Sequence, residues 1–350
     1  MARQSKRQRG ATMLDVAELV HVSRQTVSAV INNKPGITEE TRARVRAAIA
    51  QVNYRMDLTA RSLRTGLTNT VALIVTDISN PFAGKMASIA EERVYAEHYN
   101  LVLYNTHDDL DREQFYVDSI LQRSVDGVMF VSARDESTAL NKLEAAGIPV
   151  VVVDRVPHNY HGPAVVLDNL AAGNLGMQHL LGLGHTQIAH ISGPGQVHIA
   201  RERLAGARAA IASCGQGHLA VQEADGWHLR SGYDSALRLL RADEKFTAVY
   251  CGGDLLAIGA QRALREAGLR IPEDVSLMGI DNIDLAAYLS PPLTTVSQSI
   301  DKMATLGVEL LFDLLAGKGQ AQHRIIVAPE LIVRESTMPP AMHWQGAQHG

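Results

Sequence analysis

Apolar positions follow two different periodicities along this chain of 350 residues. Over residues 11–56 they recur every three or four positions, which is typical of amphipathic helices. The spacing predicts a first helix with Leu14, Ala17 and Val20 on its apolar side, a short turn, a second helix and then a third. The chain is therefore expected to begin with a small all-α domain.

The second helix, over 24–31, is expected to have two different sides. Val27, Val30 and Ile31 form the apolar side, and small or polar residues, with Arg24 and Gln25 in the first turn, form the other. A helix of this kind fits the major groove of DNA, where Arg can pair with guanine and Gln with adenine. Ser23 can cap the helix through its hydroxyl. The alternative interpretation is an ordinary pair of packed helices.

From about residue 70 the pattern changes to apolar runs that alternate with helical segments. Uninterrupted Val, Ile and Leu runs separated by helices are typical of parallel sheets covered on both faces. The pattern predicts a first series of strands at 71–78, 101–106, 126–133 and 149–154, and a second series near 164–167, 188–191, 248–251 and 275–279. Two series in succession indicate two similar doubly wound lobes.

Charge is distributed unevenly, although the whole chain carries only −4. Residues 1–66 contain 12 Lys and Arg against five Asp and Glu, a net charge of +7, which leaves −11 for the remainder. A basic N-terminal part on an acidic body is the electrostatic pattern of a module that binds the phosphates of DNA. A solvated charged surface is the ordinary alternative, but it does not explain the asymmetry.

Several other classes of protein are disfavoured by the sequence. There is no apolar run long enough for a membrane span, and the basic N-terminus does not resemble a secretory signal, so we expect a cytoplasmic protein. Cys214 and Cys251 are expected to be packing residues rather than a disulfide pair. No phosphate-binding loop or nucleophile motif is present, and no cofactor is predicted. His158 and His161 are the closest histidine pair, but their spacing in a polar loop does not predict a metal site.

Many short motifs in this chain resemble the LacI family of bacterial transcription regulators. The matching segments, in order, are DVA at 15–17, VS at 22–23, TVS at 26–28, VIN at 30–32, NY at 53–54 and ARSL at 60–63. The resemblance extends to about residue 337. It implies a DNA-binding headpiece, a hinge helix and a two-lobed core similar to periplasmic binding proteins. A family member is expected to act as a cytoplasmic homodimer on a palindromic operator.

The resemblance also implies a set of DNA-contacting residues. In the family, hinge helices pair across the dimer and insert a leucine into the minor groove, and Leu63 occupies that position. Met56-Asp57 stands where the family usually has Pro-Asn, so the start of the hinge departs from the pattern. The DNA-binding residues expected are Thr12, Ser23, Arg24, Gln25, Thr26, Ser28, Ala29, Asn32, Tyr54, Arg61, Ser62 and Leu63.

Polar and aromatic residues follow the predicted strands of both lobes. The carboxyl ends of parallel strands are where ligands bind in such sheets. Charged hydrogen-bonding groups with two aromatic rings suit a sugar, and the pattern resembles that of pentose-binding proteins. Alternatively, Asp254 and Asp281 only cap helices, and Arg203 only joins the lobes. The candidate effector-binding residues are Asp77, Asn80, Phe82, Ser132, Asp154, Arg155, Arg203, Trp227, Asp254, Asp281 and Gln298.

The expected organisation follows from these assignments. It comprises a flexible basic arm at 1–10, the headpiece at 11–56, a hinge at 57–68, a first lobe at 69–162 and 298–324, a second lobe at 163–297 and 325–338, and a disordered tail at 339–350. The predicted function is that of an effector-controlled DNA-binding regulator. Two rivals remain open, a solute-binding protein without a DNA role and a sugar-modifying enzyme that uses Asp254 or Asp281 as a base.

Overall fold

The computed structural model describes residues 11–54, 66–123, 125–135, 137–242, 244–319 and 323–341. Residue contacts divide the chain into an N-terminal unit, which ends at Thr68, and a core unit, which begins at Asn69. Each unit has its own buried apolar cluster. The predicted arm, most of the predicted hinge and the end of the predicted tail lie outside the described residues.

The N-terminal unit contains three short helices. They are α1 (Met13–Leu19), α2 (Arg24–Ile31) and α3 (Glu39–Gln51). The predicted Ser23 cap is confirmed, because its hydroxyl accepts a hydrogen bond from the Thr26 amide at 3.0 Å, and the Thr38 hydroxyl caps α3 in the same way by accepting one from the Thr41 amide. These caps explain why the chain begins α2 and α3 where it does.

The apolar side of α1 differs from the prediction by one residue. Leu14 is 48% exposed, whereas Val16 and Ala17 are buried against α2 and α3. The helix begins at Met13, so the inward stripe runs through Met13, Val16, Ala17 and Val20 at the three- and four-residue spacing of one helical face. Leu14 lies just outside that stripe.

The first lobe of the core unit is a six-stranded parallel sheet with helices on both sides. Its strands are β1 (Thr70–Val75), β2 (Asn100–Asn105), β3 (Gly127–Val131), β4 (Val150–Val153), β5 (Ala164–Leu167) and β11 (Arg324–Val327), in the order β11-β5-β4-β3-β1-β2. Its helices are α4 (Pro81–Ala96), α5 (Leu110–Arg123), α6 (Ala139–Ala145) and α11 (Ile300–Leu315). The middle strands β3 and β4 are wholly buried, as their unbroken apolar runs predict.

The second lobe repeats this arrangement. Its strands are β6 (Gln187–Ser192), β7 (His218–Glu223), β8 (Ala248–Cys251), β9 (Ser276–Asp281), β10 (Thr294–Ser297) and β12 (Glu330–Ile332), in the order β12-β10-β9-β8-β6-β7, with only β12 antiparallel. Its helices are α7 (Asn169–Gly182), α8 (His198–Cys214), α9 (Leu229–Arg241) and α10 (Asp254–Glu266), and a short 3-10 helix spans Asp284–Tyr288. Within the described ranges, no helix has both the length and the apolar character needed to cross a membrane.

Two of the predicted lobe boundaries are wrong. The sequence analysis assigned β5 to the second lobe, but β5 pairs with β4 in the first sheet. It also ended the first lobe at residue 324, but β11 pairs with β5 and therefore belongs to the first sheet. The chain therefore changes lobes after β5, between β10 and α11, and between β11 and β12. A buried four-residue apolar strand has the same sequence pattern in either sheet, so only pairing settles its lobe.

The two cysteines are both free thiols, and their environments differ. Cys251 is buried in the second sheet, as expected of a packing residue, and burial raises the pKa of its thiol. Cys214, at the end of α8, is exposed, so its assignment as a packing residue was wrong.

Candidate functional site

The first turn of α2 presents its predicted groove-facing residues to solvent. Arg24 and Gln25 are exposed, while Val27 and Val30 are buried in the headpiece core. Ser28 and Ala29 are half-buried between the two sides. The helix therefore offers one Arg and one Gln side chain at its exposed N-terminal end, as a major-groove reader requires.

Several of the other predicted DNA contacts also stabilise the headpiece. Thr12 and Asp15 form a capping box at the start of α1, in which each side chain accepts a hydrogen bond from the backbone amide of the other residue. The Thr26 and Ser23 hydroxyls are hydrogen-bonded to each other at 3.0 Å. Asn32 ends α2, and its Nδ2 donates to the Ser28 carbonyl at 2.7 Å. Tyr54 is half-buried against the headpiece core. Arg61, Ser62 and Leu63 lie outside the described residues.

A cleft of about 360 Å³ lies between the two lobes, at the carboxyl ends of their parallel strands. The structure brings ten of the eleven candidate effector-binding residues to its walls. The ten are Asp77, Asn80, Phe82, Ser132, Asp154, Arg155, Arg203, Trp227, Asp281 and Gln298. Asp254 is the exception among the candidates.

Three of these residues have left-handed backbone conformations where their strands end. The φ angles are +61° at Ser132, +72° at Asp154 and +130° at Asp281. Residues with side chains rarely adopt such angles, and strained backbone of this kind tends to cluster at active and ligand-binding sites. The unusual backbone ends strands β3, β4 and β9 at the cleft wall.

In the first lobe, only one of the two carboxylate oxygens of Asp154 has a hydrogen-bond partner among the described residues. The Ser132 hydroxyl donates to its Oδ2 at 2.6 Å, whereas its Oδ1 is buried and has no hydrogen-bond partner among the described residues. Arg155 is fixed beside it, because its guanidinium donates to the Ser132 and Ala133 carbonyls and to Asp108 at 2.9 Å. Asp154 therefore presents one free acceptor to the cleft.

Arg203, on α8 of the second lobe, is only 2% exposed. Its Nε donates to Asn169 at 2.8 Å, its Nη1 donates to the Gly252 carbonyl at 2.7 Å, and Nη1 lies 3.7 Å from Asp281. Its Nη2 is buried without a partner in the described part of the chain. A rigid guanidinium with one unused donor is well suited to bind an oxygen atom of a ligand.

Asp281 and Gln298 form the floor of the cleft beside Arg203. The Gln298 amide donates to Asp281, which leaves the buried Oε1 of Gln298 without a partner among the residues described. Burial raises the pKa of Asp281 to about 6, against the opposing effects of Arg203 and Gln298. These two residues therefore add two hydrogen-bond acceptors to the cleft, the titratable carboxylate of Asp281 and the Oε1 of Gln298.

Asp254 does not line the cleft. It is fully buried behind the wall, where Thr295 donates to its Oδ1 at 2.6 Å and the Ile283 amide donates to its Oδ2 at 3.0 Å. Burial and the nearby Asp281 raise its pKa well above the ordinary value. It is the first residue of α10, and its side chain links the segment after β9 to β10 instead of facing a ligand.

The two predicted aromatic residues both reach the cleft. The Arg203 guanidinium lies 5.6 Å from the centre of the Trp227 ring. Phe82 lies on the cleft wall of the first lobe. A Cβ at Gly193 would lie 2.2 Å from the indole ring, so glycine is needed there for Trp227 to fit. Asn80 caps α4 by accepting from the Phe82 amide at 3.0 Å, which positions Phe82.

Some residues of the cleft were missed by the sequence analysis. His107 and Asp108 follow β2 and have left-handed φ angles, and Asp225 and His228 flank Trp227. The rule that singled out the ends of the other strands also applies to β2, so Asp108 and its bond to Arg155 could have been found. Gln196 lies in a loop whose position only the fold reveals.

An exposed helix-turn-helix in a basic unit, together with a polar cleft between two lobes, defines a DNA-binding regulator that responds to a small ligand.

Comparisons with known proteins agree. Residues 12–57 match the family described as bacterial regulatory proteins, lacI family, and residues 177–337 match a periplasmic binding protein-like domain. The ribose operon repressor of Escherichia coli is 34% identical over 328 residues, which cover 93% of this chain and 99% of that protein. The transcriptional repressor PurR of Aliivibrio salmonicida is 33% identical over 329 residues, which cover 93% and 98%.

Solved structures give the same result. The lac repressor dimer bound to operator and the anti-inducer ONPF has a TM-score of 0.84 at 27% identity, covering 94% of this chain and all of that one. A LacI family regulator from Enterococcus faecium with bound ribose has a TM-score of 0.71 at 30% identity, covering 78% and 100%. The chain belongs to the LacI family and is a DNA-binding, effector-regulated transcriptional repressor.

Proposed function

We propose that the cleft binds a small polyhydroxylated effector, a monosaccharide or a sugar derivative, and that its binding controls operator occupancy. The observation that carries this proposal is that three residues lining the cleft each have a buried polar atom without a hydrogen-bond partner among the described residues: Asp154 Oδ1, Arg203 Nη2 and Gln298 Oε1. Unpaired buried polar groups are costly, so a ligand that satisfies all three is strongly favoured.

A sugar fits this set because each hydroxyl both donates and accepts a hydrogen bond. Asp154 and Gln298 can accept from hydroxyls, and Arg203 can donate to one. The Trp227 and Phe82 rings offer apolar surfaces for the CH groups of a sugar ring. A cleft of about 360 Å³ lies at the small end of the range for ligand sites, which favours one ring over two.

Two of the relatives favour the same class of effector. The E. coli relative is named for the ribose operon, and the E. faecium structure contains ribose. The PurR relative has no sugar in its name, so compounds other than sugars belong in the test as well.

We place the DNA-binding function in a homodimer on a two-fold symmetric operator. Two copies of α2 are needed to read two half-sites, and Arg24 and Gln25 are the proposed base-reading residues. Leu63 is proposed to enter the minor groove from the hinge, supported by Arg61 and Ser62. Closure of the lobes on the effector then changes whether the paired hinges fit the DNA.

We infer that the chain is not an enzyme. Asp254, one of the two carboxylates that could act as a base, has both oxygens engaged behind the cleft wall. Asp281 remains on the wall, so incubation of candidate sugars with the protein, followed by product analysis, separates catalysis from simple binding. We expect the recovered sugar to be unchanged.

The test of the proposal is a thermal-shift panel of pentoses, hexoses, sugar phosphates and nucleobases with the full-length chain. A ligand of the folded state at about 100 times its Kd adds roughly 2.7 kcal/mol of stability, which is easily detected. We expect one sugar or sugar derivative to raise the Tm and to alter operator affinity in a separate binding measurement. A response to nucleobases alone would contradict the sugar assignment.

The raised pKa of Asp281 gives a prediction for pH. A ligand hydroxyl that donates to Asp281 requires the ionised carboxylate, so ligand binding lowers this pKa from about 6. Effector affinity should therefore be constant well above pH 6 and fall as the pH decreases through 6, by up to about tenfold per pH unit. Titration calorimetry between pH 5 and pH 8 measures this. Asp281→Asn should bind more weakly at pH 8 and lose most of the pH dependence, whereas an unchanged slope in the variant would assign the titration elsewhere.

A further inference from the structure

Three potential metal ligands from different parts of the fold meet close to the cleft, where His198 lies between the cleft-lining residues Val197 and Ile199. They are Asp135, which follows β3, His158, which follows β4, and His198, the first residue of α8. The first two belong to the first lobe and His198 belongs to the second. One ligand atom from each lies within 4.8 Å of the other two.

The spacing of these atoms is close to what a metal ion needs. The Nδ1 of His198 is 3.6 Å and the Nε2 of His158 is 3.9 Å from the Oδ2 of Asp135. Tetrahedral Zn²⁺ with bonds of about 2.0–2.1 Å places its ligand atoms roughly 3.3 Å apart. Both separations from Asp135 exceed that spacing by less than 1 Å, so side-chain adjustments at Asp135 and at the exposed His158 would bring these ligand atoms closer to it.

Two observations distinguish this cluster from a chance group of polar residues. The Nδ1 of His198 is buried and has no hydrogen-bond partner in the described structure, although it faces Asp135. The Asp135 side chain is itself oriented, because its Oδ1 accepts a hydrogen bond from the His158 amide at 3.3 Å.

We propose that Asp135, His158 and His198 form a Zn²⁺ site that joins the two lobes, with a fourth position open to water or to a ligand. Two imidazoles and one carboxylate are a donor set that Zn²⁺ prefers. Glu202, one turn further along α8, adds negative charge near the site. Since the ligands come from both lobes, Zn²⁺ binds only when the lobes approach, and it stabilises that arrangement.

The sequence analysis considered a different histidine pair and predicted no metal site. His158 and His161 are neighbours along the chain, but the fold brings His158 to His198, whose ring centre is 5.3 Å away. His161 is exposed and does not belong to the cluster. It therefore provides a matched control in the same loop.

Calorimetric titration of the untagged, full-length chain with Zn²⁺ tests the proposal. We expect one site per chain in the wild type and in His161→Ala. Asp135→Asn, His158→Ala and His198→Ala should each weaken binding at this site by at least about tenfold, because each removes one direct ligand. Circular dichroism verifies that the variants are folded, and the exposed His158 makes its variant the least disruptive.

The results decide between clear alternatives. The proposed site would be overturned if His158→Ala bound Zn²⁺ as tightly as the wild type. It would also be overturned if His161→Ala lost as much Zn²⁺ affinity as the variants of the three proposed ligands. Loss in the two first-lobe variants but not in His198→Ala would overturn the link between lobes. The titration requires no effector, so its failure leaves the proposed sugar site untouched, and the failure of the sugar panel leaves the metal site untouched.

Discussion

Arg203→Lys is expected to weaken effector binding by about 2–3 kcal/mol, which corresponds to roughly 30- to 150-fold in Kd. The lysine keeps the positive charge beside Asp281. The three donors of an ammonium group sit on one nitrogen, so they cannot reach Asn169, the Gly252 carbonyl and the cleft at the same time, as the three separate nitrogens of the Arg203 fork do. Calorimetry with the sugar identified by the thermal-shift panel measures the loss.

Arg208→Lys is the matched control for this experiment. Arg208 lies on the same helix, five residues further on, and its side chain is exposed away from the cleft residues. Its variant should bind the effector as the wild type does. An Arg203→Lys variant that is folded and retains wild-type affinity would show that Arg203 is only a structural link between α8 and its neighbours.

Replacing Arg24 or Gln25 with alanine is expected to reduce operator affinity by about 1–3 kcal/mol each and to relax the choice of base at one position per half-site. Both side chains are exposed at the start of α2, so the headpiece should remain folded. Binding to a library of operator variants at fixed salt measures affinity and selectivity together.

Arg262→Ala serves as the control for charge, since it removes the same exposed positive charge from the core unit. Its operator affinity should match that of the wild type. If Arg24→Ala lost equal affinity for operator and for random DNA, Arg24 would be a phosphate contact, because phosphate contacts carry no direct sequence information.

Local patterns predicted the elements that depend on local chemistry. The range of α2 was predicted without error, because the Ser23 cap begins the helix and the spacing of Val27 and Val30 defines its buried side. Most of the cleft was also predictable. Nine of the ten candidate residues on its walls follow the ends of strands or lie in a crossing, and parallel sheets bring such positions together; the tenth, Arg203, lies on α8.

Features that depend on long-range pairing could not be predicted. The lobe of β5 is settled by its pairing with β4 and β11, which its four buried apolar residues do not encode. Asp254 also follows a strand, but it is the first residue of α10, and its side chain turns toward Thr295. His158 and His198 are forty positions apart in the chain and meet only in the folded protein.

The most direct test of the account is the operator affinity of the full-length chain with and without a saturating concentration of the identified effector. If the cleft controls the DNA-binding helix, the two affinities should differ by at least about tenfold, a coupling free energy near 1.4 kcal/mol. Arg203→Lys should show the smaller response at the same effector concentration. Equal operator affinities in the presence and absence of an effector that demonstrably fills the cleft would contradict the account.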